Sequence, residues 1–292
     1  MTSPPIQWYP GHIAKAEKAL LDQLKRVDLI LEVRDFRIPL ATAHPKLPQW
    51  IGNKAHLLIL NRMDMVPAAV QTQWLQWFEQ QNISAYPTDA KQGKGIPAIL
   101  QAVQTVSVGI NQRRQQRGML PRPVRAVVIG FPNVGKSALI NRLLKRRVVE
   151  SARRPGVTRQ LRWVRVSDQI ELLDAPGILP AALRDQDAAL NLAICDDIGE
   201  AAYDYQRVAA ALVERLKRLQ ITAPALLPQS PLGSRYGLEP ETLTGEDYVA
   251  QLAHDRHHGD RERTAKELLN DFRKGVLGRI PLELPDACQK GL

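Results

Sequence analysis

The chain has 292 residues, 44% of them hydrophobic and 24% charged, with 40 Lys+Arg against 30 Asp+Glu and a net charge of +10. That length buries a sizeable core in one large domain plus a smaller one, and the basic balance points to a polyanionic partner, nucleic acid ahead of an acidic membrane surface. Not expected are a membrane span, which needs roughly 20 consecutive apolar residues, a secretory leader, whose charged and apolar regions Met1-Thr2-Ser3-Pro4-Pro5 does not show, and a zinc or disulfide framework, because the two cysteines, Cys195 and Cys288, lie far apart. The expected compartment is the cytoplasm, with both thiols reduced.

In chain order, Ile6-Gln7-Trp8-Tyr9-Pro10-Gly11-His12 is an aromatic turn before a helix of about 14 residues ending near Arg26. Residues 28–33 read as a strand and 34–39 as a loop. A buried-type strand, 56–60, runs into Asn61-Arg62-Met63-Asp64. Pro67 starts a helix carrying Trp74, Leu75, Trp77 and Phe78, whose helical spacing makes them core residues. A short strand over 83–86 ends in Thr88-Asp89-Ala90-Lys91. A helix over 96–112 and a basic linker, 113–117, precede the apolar run Val124–Ile129. That run enters Gly130-Phe131-Pro132-Asn133-Val134-Gly135-Lys136-Ser137 and then a helix to Leu144. Residues 154–159 form a loop. Residues 161–166 and 169–173 form a hairpin ending in Asp174-Ala175-Pro176-Gly177. Strands alternating with helices predict a doubly wound, mostly parallel α/β sheet. From 180 onward helical spacing takes over, at 185–198, 202–219, 248–253 and 263–272, with 221–231 a Pro-rich loop. The expected domains are 1–179, α/β, and 180–292, all-helical.

Strand, glycine-bounded loop and helix over 124–144 is the context of a phosphate-binding P-loop. Backbone N–H groups from Asn133 through Ala138, including Val134 and Gly135, can wrap phosphates at the positive end of a helix dipole. Lys136 would reach the β- and γ-phosphates, and the Ser137 hydroxyl would bind Mg²⁺. Asn61-x-x-Asp64 at a strand end supplies an amide for the O6/N7 edge of guanine and a carboxylate for its N1–H and N2 amine. Adenine cannot satisfy that carboxylate, so the pattern selects GTP over ATP. Arg62 can stack on the base plane, and in Asp89-Ala90-Lys91 the Ala90 N–H would meet guanine O6. Asp174 and Gly177 fit a DxxG switch, with Asp174 holding Mg²⁺ through water and the Gly177 N–H sensing the γ-phosphate. Thr158, between P-loop and DxxG, would complete the Mg²⁺ shell.

The order is unusual, because the base-reading motifs precede the P-loop and switches. In this order, with Trp8–His12 and Leu269-Asn270-Asp271-Phe272-Arg273-Lys274-Gly275, the chain resembles the ribosome biogenesis GTPase A (YlqF-like) family of circularly permuted P-loop GTPases. The resemblance implies a GTP/GDP- and Mg²⁺-binding GTPase domain with an RNA-binding helical C-terminal domain. It implies the large ribosomal subunit precursor and rRNA as partners, with neither DNA nor membrane, and a monomeric chain. It also implies His12 as a catalytic residue beside Lys136 and Thr158, and Asn133 as a K⁺ ligand, although the residue alone equally suits the loop.

Ile178 stands where Ras-type enzymes carry a water-positioning Gln, so hydrolysis by the chain alone should be slow and stimulated by the ribosomal particle. The alternative is an RNA-binding scaffold regulated by guanine nucleotide with negligible hydrolysis. Between Arg142 and Arg165 stand nine Lys/Arg and one acid, Glu150, a net of +8 beside the switch, which reads as a phosphate-backbone contact. Residues 254–292 are nearly balanced, with eight Lys/Arg and seven Asp/Glu, and Arg273 and Arg279 are their candidates for an RNA face.

Overall fold

The computed structural model describes residues 6, 19–144, 162–167, 170–174, 185–199 and 202–285. Six strands, β1 (Leu29–Asp35), β2 (Ala55–Asn61), β3 (Ala85–Thr88), β4 (Val124–Gly130), β5 (Arg162–Ser167) and β6 (Ile170–Asp174), form one sheet in the order β3-β2-β1-β4-β6-β5. Every pairing is parallel except the β5–β6 hairpin at the edge. Both faces are covered, which is why the central strands are nearly continuous apolar runs. Along β4, Val124, Ala126 and Val128 enter the main core, while Val127 and Ile129 enter a smaller one beneath α1 (helical over 19–24) and α2 (Leu47–Ile51). A third cluster gathers Phe36, Leu58, Leu60 and the fully buried Trp74 under α3 (Ala68–Gln80).

The remaining helices are α4 (Ile96–Gln116), α5 (Lys136–Leu143), α6 (Gln186–Cys195), α7 (Tyr205–Thr222), α8 (Pro231–Tyr236), α9 (Gly245–His257) and α10 (Arg261–Arg273). No strand occurs among the described residues after β6, and no helix among them is long and apolar enough to cross a membrane. The main core is continuous from the sheet into α6, α7, α9 and α10.

Helix starts follow local chemistry. Asp185, Asp204, Ser230, Thr244 and Asp260 each cap the first turn of α6 to α10 with their own side chains. Those caps start α9 and α10 ahead of the predicted 248 and 263. They also create α8 from the Ser-Pro step inside what reads as loop. β3 starts later than predicted because Asn82 turns left-handed (φ 58°) and the Ile83 N–H closes the end of α3 on the Phe78 carbonyl. Arg113 and Arg114 belong to the last turn of α4, where they complement the helix dipole, rather than to a linker.

The segment after α10 returns to the sheet. The N–H groups of Leu282 and Glu283 donate to the Arg37 carbonyl, and the Trp74 indole N–H donates to the Glu283 carbonyl at 3.3 Å. The Glu283 carboxylate accepts from the Leu40 N–H at 2.6 Å and the Ala41 N–H at 3.1 Å. The 36–41 loop after β1 is thereby pinned by the C-terminal part of the chain.

Candidate functional site

The phosphate loop is built at the carboxyl end of β4, beside the ends of β1 and β2. Two of its glycines are required by neighbours. A Cβ on Gly130 would lie 2.3 Å from the Val33 carbonyl oxygen, and one on Gly135 (φ +102°) would lie 2.1 Å from Asn61 Nδ2. Unlike α6 to α10, α5 begins with no side-chain cap. No side chain of its own N-cap takes its first N–H groups, which a phosphate could use. Lys136 is buried, with Nζ donating to the carbonyls of Gly130 (3.1 Å) and Phe131 (2.7 Å). Ser137 and Ala138 are half-buried on the same turn, and Val134 is buried.

Asn61 acts differently from the sequence expectation. Its Nδ2 donates to the Val134 carbonyl at 2.7 Å, and its Oδ1 accepts the Ala90 N–H at 3.0 Å. The amide therefore staples the 89–91 loop to the phosphate loop. The N–H expected to meet guanine O6 is the one Asn61 holds. Asp64, the other expected base reader, is exposed in a 3₁₀ turn, Met63–Met65, and has no ion pair among the described residues.

Arg62, expected to stack on the base, has φ 66° and turns inward. Its Nη2 donates to the Asn133 carbonyl at 2.8 Å, and its Nε lies 3.0 Å from Asp35 Oδ2. Asp89 is buried and structural, with Oδ1 accepting from the Lys91 and Gln92 N–H groups. Arg142, read as part of the RNA-facing basic run, instead reaches from α5 to the Ala90 and Lys91 carbonyls and holds that loop.

Behind the loop lies a buried ionic cluster with no signal in local spacing. The Asp35 carboxylate takes two bonds from the Arg37 guanidinium, at 3.0 and 2.6 Å, and one more from the Arg37 N–H. Burial alone would raise the Asp35 carboxyl, but the Arg37 and Arg62 cations outweigh it and hold it below the usual carboxylate range. Arg37 also donates to the Cys195 carbonyl at 3.0 Å and lies over the Phe272 ring, 5.6 Å from its centroid. Asp197 is fully buried, and neither of its oxygens has a hydrogen-bond partner among the described residues. Its closest cation is Arg62 Nη2 at 3.9 Å. Burial and the neighbouring Asp35 charge push its carboxyl well above the ordinary value.

The end of α6 joins this cluster to the P-loop, since Asn133 Nδ2 donates to the Asp196 carbonyl at 2.7 Å. Arg273 does not present an RNA face. Its guanidinium binds the Ala193 and Ile194 carbonyls and the Tyr203 hydroxyl, while Arg279 is exposed.

Asp174 is the last residue of β6, its backbone paired with Val128 and so beside the P-loop strand. His12, Thr158, Gly177 and Ile178 lie outside the described residues. Among the described residues no cluster of three or more His, Cys, Asp or Glu could hold a metal ion. A hydroxyl, a single carboxylate and nucleotide phosphates are the donor set that suits Mg²⁺.

Comparison with known proteins identifies the family. A family model described as a 50S ribosome-binding GTPase matches residues 125–221. The chain is similar to ribosome biogenesis GTPase A of Bacillus pumilus, with 37% identity covering 97% of this chain and 99% of that one. It is also similar to the same protein of Bacillus cereus, with 33% identity covering 96% and 94%. Mitochondrial ribosome-associated GTPase 1 of Bos taurus is 29% identical, covering 95% and 88%. In fold it is similar to the GNP-bound crystal structure of YlqF from T. maritima, with a TM-score of 0.64 at 22% identity, covering 93% and 99%. With 37% identity to one such relative over 97% of its length, the chain belongs to the ribosome biogenesis GTPase A (YlqF-like) family of circularly permuted P-loop GTPases.

Proposed function

We propose that this protein binds and hydrolyses GTP as an assembly factor for the large ribosomal subunit, engaging the precursor particle and its rRNA according to the nucleotide held. The observation that carries this reading is the Asn61 staple between the phosphate loop and the 89–91 loop. It couples the two halves of a guanine-nucleotide site in permuted order, within a chain similar end to end to ribosome biogenesis GTPases. The division of labour is a GTPase part to residue 179 and an RNA-directed helical part from 180.

In this reading Lys136 leaves the Gly130 and Phe131 carbonyls for the β- and γ-phosphates, and Asp64 accepts from the base. Ser137, Thr158 and Asp174 would hold Mg²⁺, which would offset charge on the phosphates. The Gly177 N–H reports the γ-phosphate. Asn133 has its nitrogen on Asp196, and its amide oxygen would be the K⁺ ligand. Ile178 cannot orient water, so intrinsic turnover is slow and His12 acts when the particle is bound. Ile178 is also what favours the second reading, a nucleotide-regulated RNA scaffold.

Multiple-turnover GTP hydrolysis with and without purified large-subunit precursors separates the two. Stimulation that is lost in His12→Ala supports the enzyme, whereas particle binding without stimulation supports the scaffold.

A further inference from the structure

At the opposite end of the sheet from the P-loop, the face covered by α1 carries a cluster of arginines around an indole. Strand register sets Arg125 of β4 opposite Glu171 of β6, and Glu171 opposite Arg165 of β5, so three charged residues form one row across three strands. Trp163, two residues before Arg165, shares that face. The remaining wall is Arg26, from the turn after α1. Together Arg26, Arg125, Trp163, Arg165 and Glu171 line a shallow cavity of about 390 Å³.

The site is preorganised. The Trp163 ring packs on the smaller core, its N–H donates to Gln23 Oε1 at 3.4 Å, and the Arg125 guanidinium sits 5.6 Å from its centroid. Arg125 is also held by Glu171, at 3.3 Å. Planar guanidiniums match phosphate oxygens two at a time, and a fixed indole–guanidinium pair offers a surface on which an unstacked base can lie. An acidic polypeptide would use the arginines but leave the indole without a role. The strand that carries Trp163 and Arg165 also closes the basic run of nine Lys/Arg against one acid.

We infer that this cavity docks single-stranded or looped RNA, phosphates on Arg26, Arg125 and Arg165 and a base against Trp163. This contact is separate from the nucleotide-dependent engagement of the particle by the helical part and is independent of nucleotide, because Arg125 and the P-loop glycine Gly130 stand five residues apart on β4, about 16 Å. The inference rests on the reading that the RNA of a ribosomal particle is the partner.

The test is a titration of the full chain with a labelled single-stranded RNA oligonucleotide, in GDP and in a non-hydrolysable GTP analogue. Affinity should agree within about twofold between the nucleotides. Arg26→Glu with Arg165→Glu, both exposed positions, should weaken it about tenfold or more, and Arg26→Ala with Arg165→Ala should lower the salt slope by about 1.4, from two lost phosphate contacts. Trp163→Phe, which keeps a ring in the core, should weaken it by a smaller factor. All variants should keep the basal GTP hydrolysis of the parent.

Undiminished RNA affinity in the double variants overturns the inference, as does equal affinity of the parent for polyglutamate. If the parent binds RNA through this cavity yet shows no response to ribosomal particles, the assembly reading fails and the cavity stands. If particles stimulate the parent and the double variants bind RNA as it does, the cavity alone fails.

Discussion

Asn61 ties two loops together with the two ends of one amide. Both atoms it contacts, the Ala90 N–H and the Val134 carbonyl, belong to buried residues. In Asn61→Ala each loses its partner, at about 1–3 kcal/mol apiece. The expected outcome is a lower urea midpoint together with GTP affinity reduced about tenfold or more, read by titration with a fluorescent GTP analogue. Unchanged stability with lost affinity would return Asn61 to the role of direct base reader. The residue type and its place at a strand end are legible in the sequence. Its partners, 29 and 73 positions away, are not. The same holds for Arg62 and Arg142, whose charges are visible in one dimension while the carbonyls and carboxylates that absorb them are set by the packing of β1, β2 and α5.

At the scale of elements, the end of α6 is where the helical part meets the nucleotide site. A helix terminus leaves its last carbonyls without intrahelical partners. Here Arg273 takes those of Ala193 and Ile194, Arg37 takes that of Cys195, and Asn133 takes that of Asp196. Arg273→Lys keeps the charge but loses the fork that spans two carbonyls and a hydroxyl. It is expected to destabilise the protein by about 1–3 kcal/mol in urea unfolding, and to leave RNA affinity near that of the parent. A large loss of RNA affinity at unchanged stability would restore Arg273 to an RNA face.

Asn133→Ala cuts the direct tie between P-loop and α6. Changes in amide hydrogen exchange over 186–199 on exchanging GDP for a GTP analogue should then shrink relative to the parent. An undiminished response would mean that coupling runs elsewhere. Which elements are legible follows from how local their causes are. Strands such as β2, with a continuous buried run, and helices with Asp or Thr caps announce themselves. The short α2 and α8 depend on a Pro at their first turn and on the surface they rest against, and their patterns are too brief to show periodicity.

At the scale of the whole molecule, the permuted order places guanine-side motifs on β2 and β3, at one edge of the sheet, and phosphate-side motifs on β4 and β6. The central strand β1 lies between them and carries the Asp35–Arg37 pair at its end. The doubly wound class is readable from alternation of strand and helix patterns. The return of the 280–284 segment to the 36–41 loop is not, because its anchors are backbone groups, together with an indole and one carboxylate 209 and 243 positions from their partners.

Glu283 is half-buried, and burial of its carboxyl group raises its pKa from 4.5 to about 7, against the opposing pull of the Leu40 and Ala41 N–H groups. A raised carboxyl pKa favours the protonated form in the folded state. Its contribution to stability is therefore fully present below about 4.5 and is lost as pH rises toward about 7. Relative to Glu283→Gln, which stays neutral, the parent's urea midpoint should fall across that window and run parallel above it. Parallel curves throughout would show that the carboxylate is ionised when docked.

The pinned loop also has an order in time. Leu40 is made early, with β1, and the carboxylate that holds its N–H comes 243 residues later. Contacts of such separation form late, because the chain between must first be closed. During synthesis the Arg37 carbonyl and the Leu40 and Ala41 amides therefore wait, while strands β2 to β6 assemble around them. The nucleotide site gains its final brace only as the last described residues arrive, so a chain cut short before Glu283 would hold its P-loop but lack that brace.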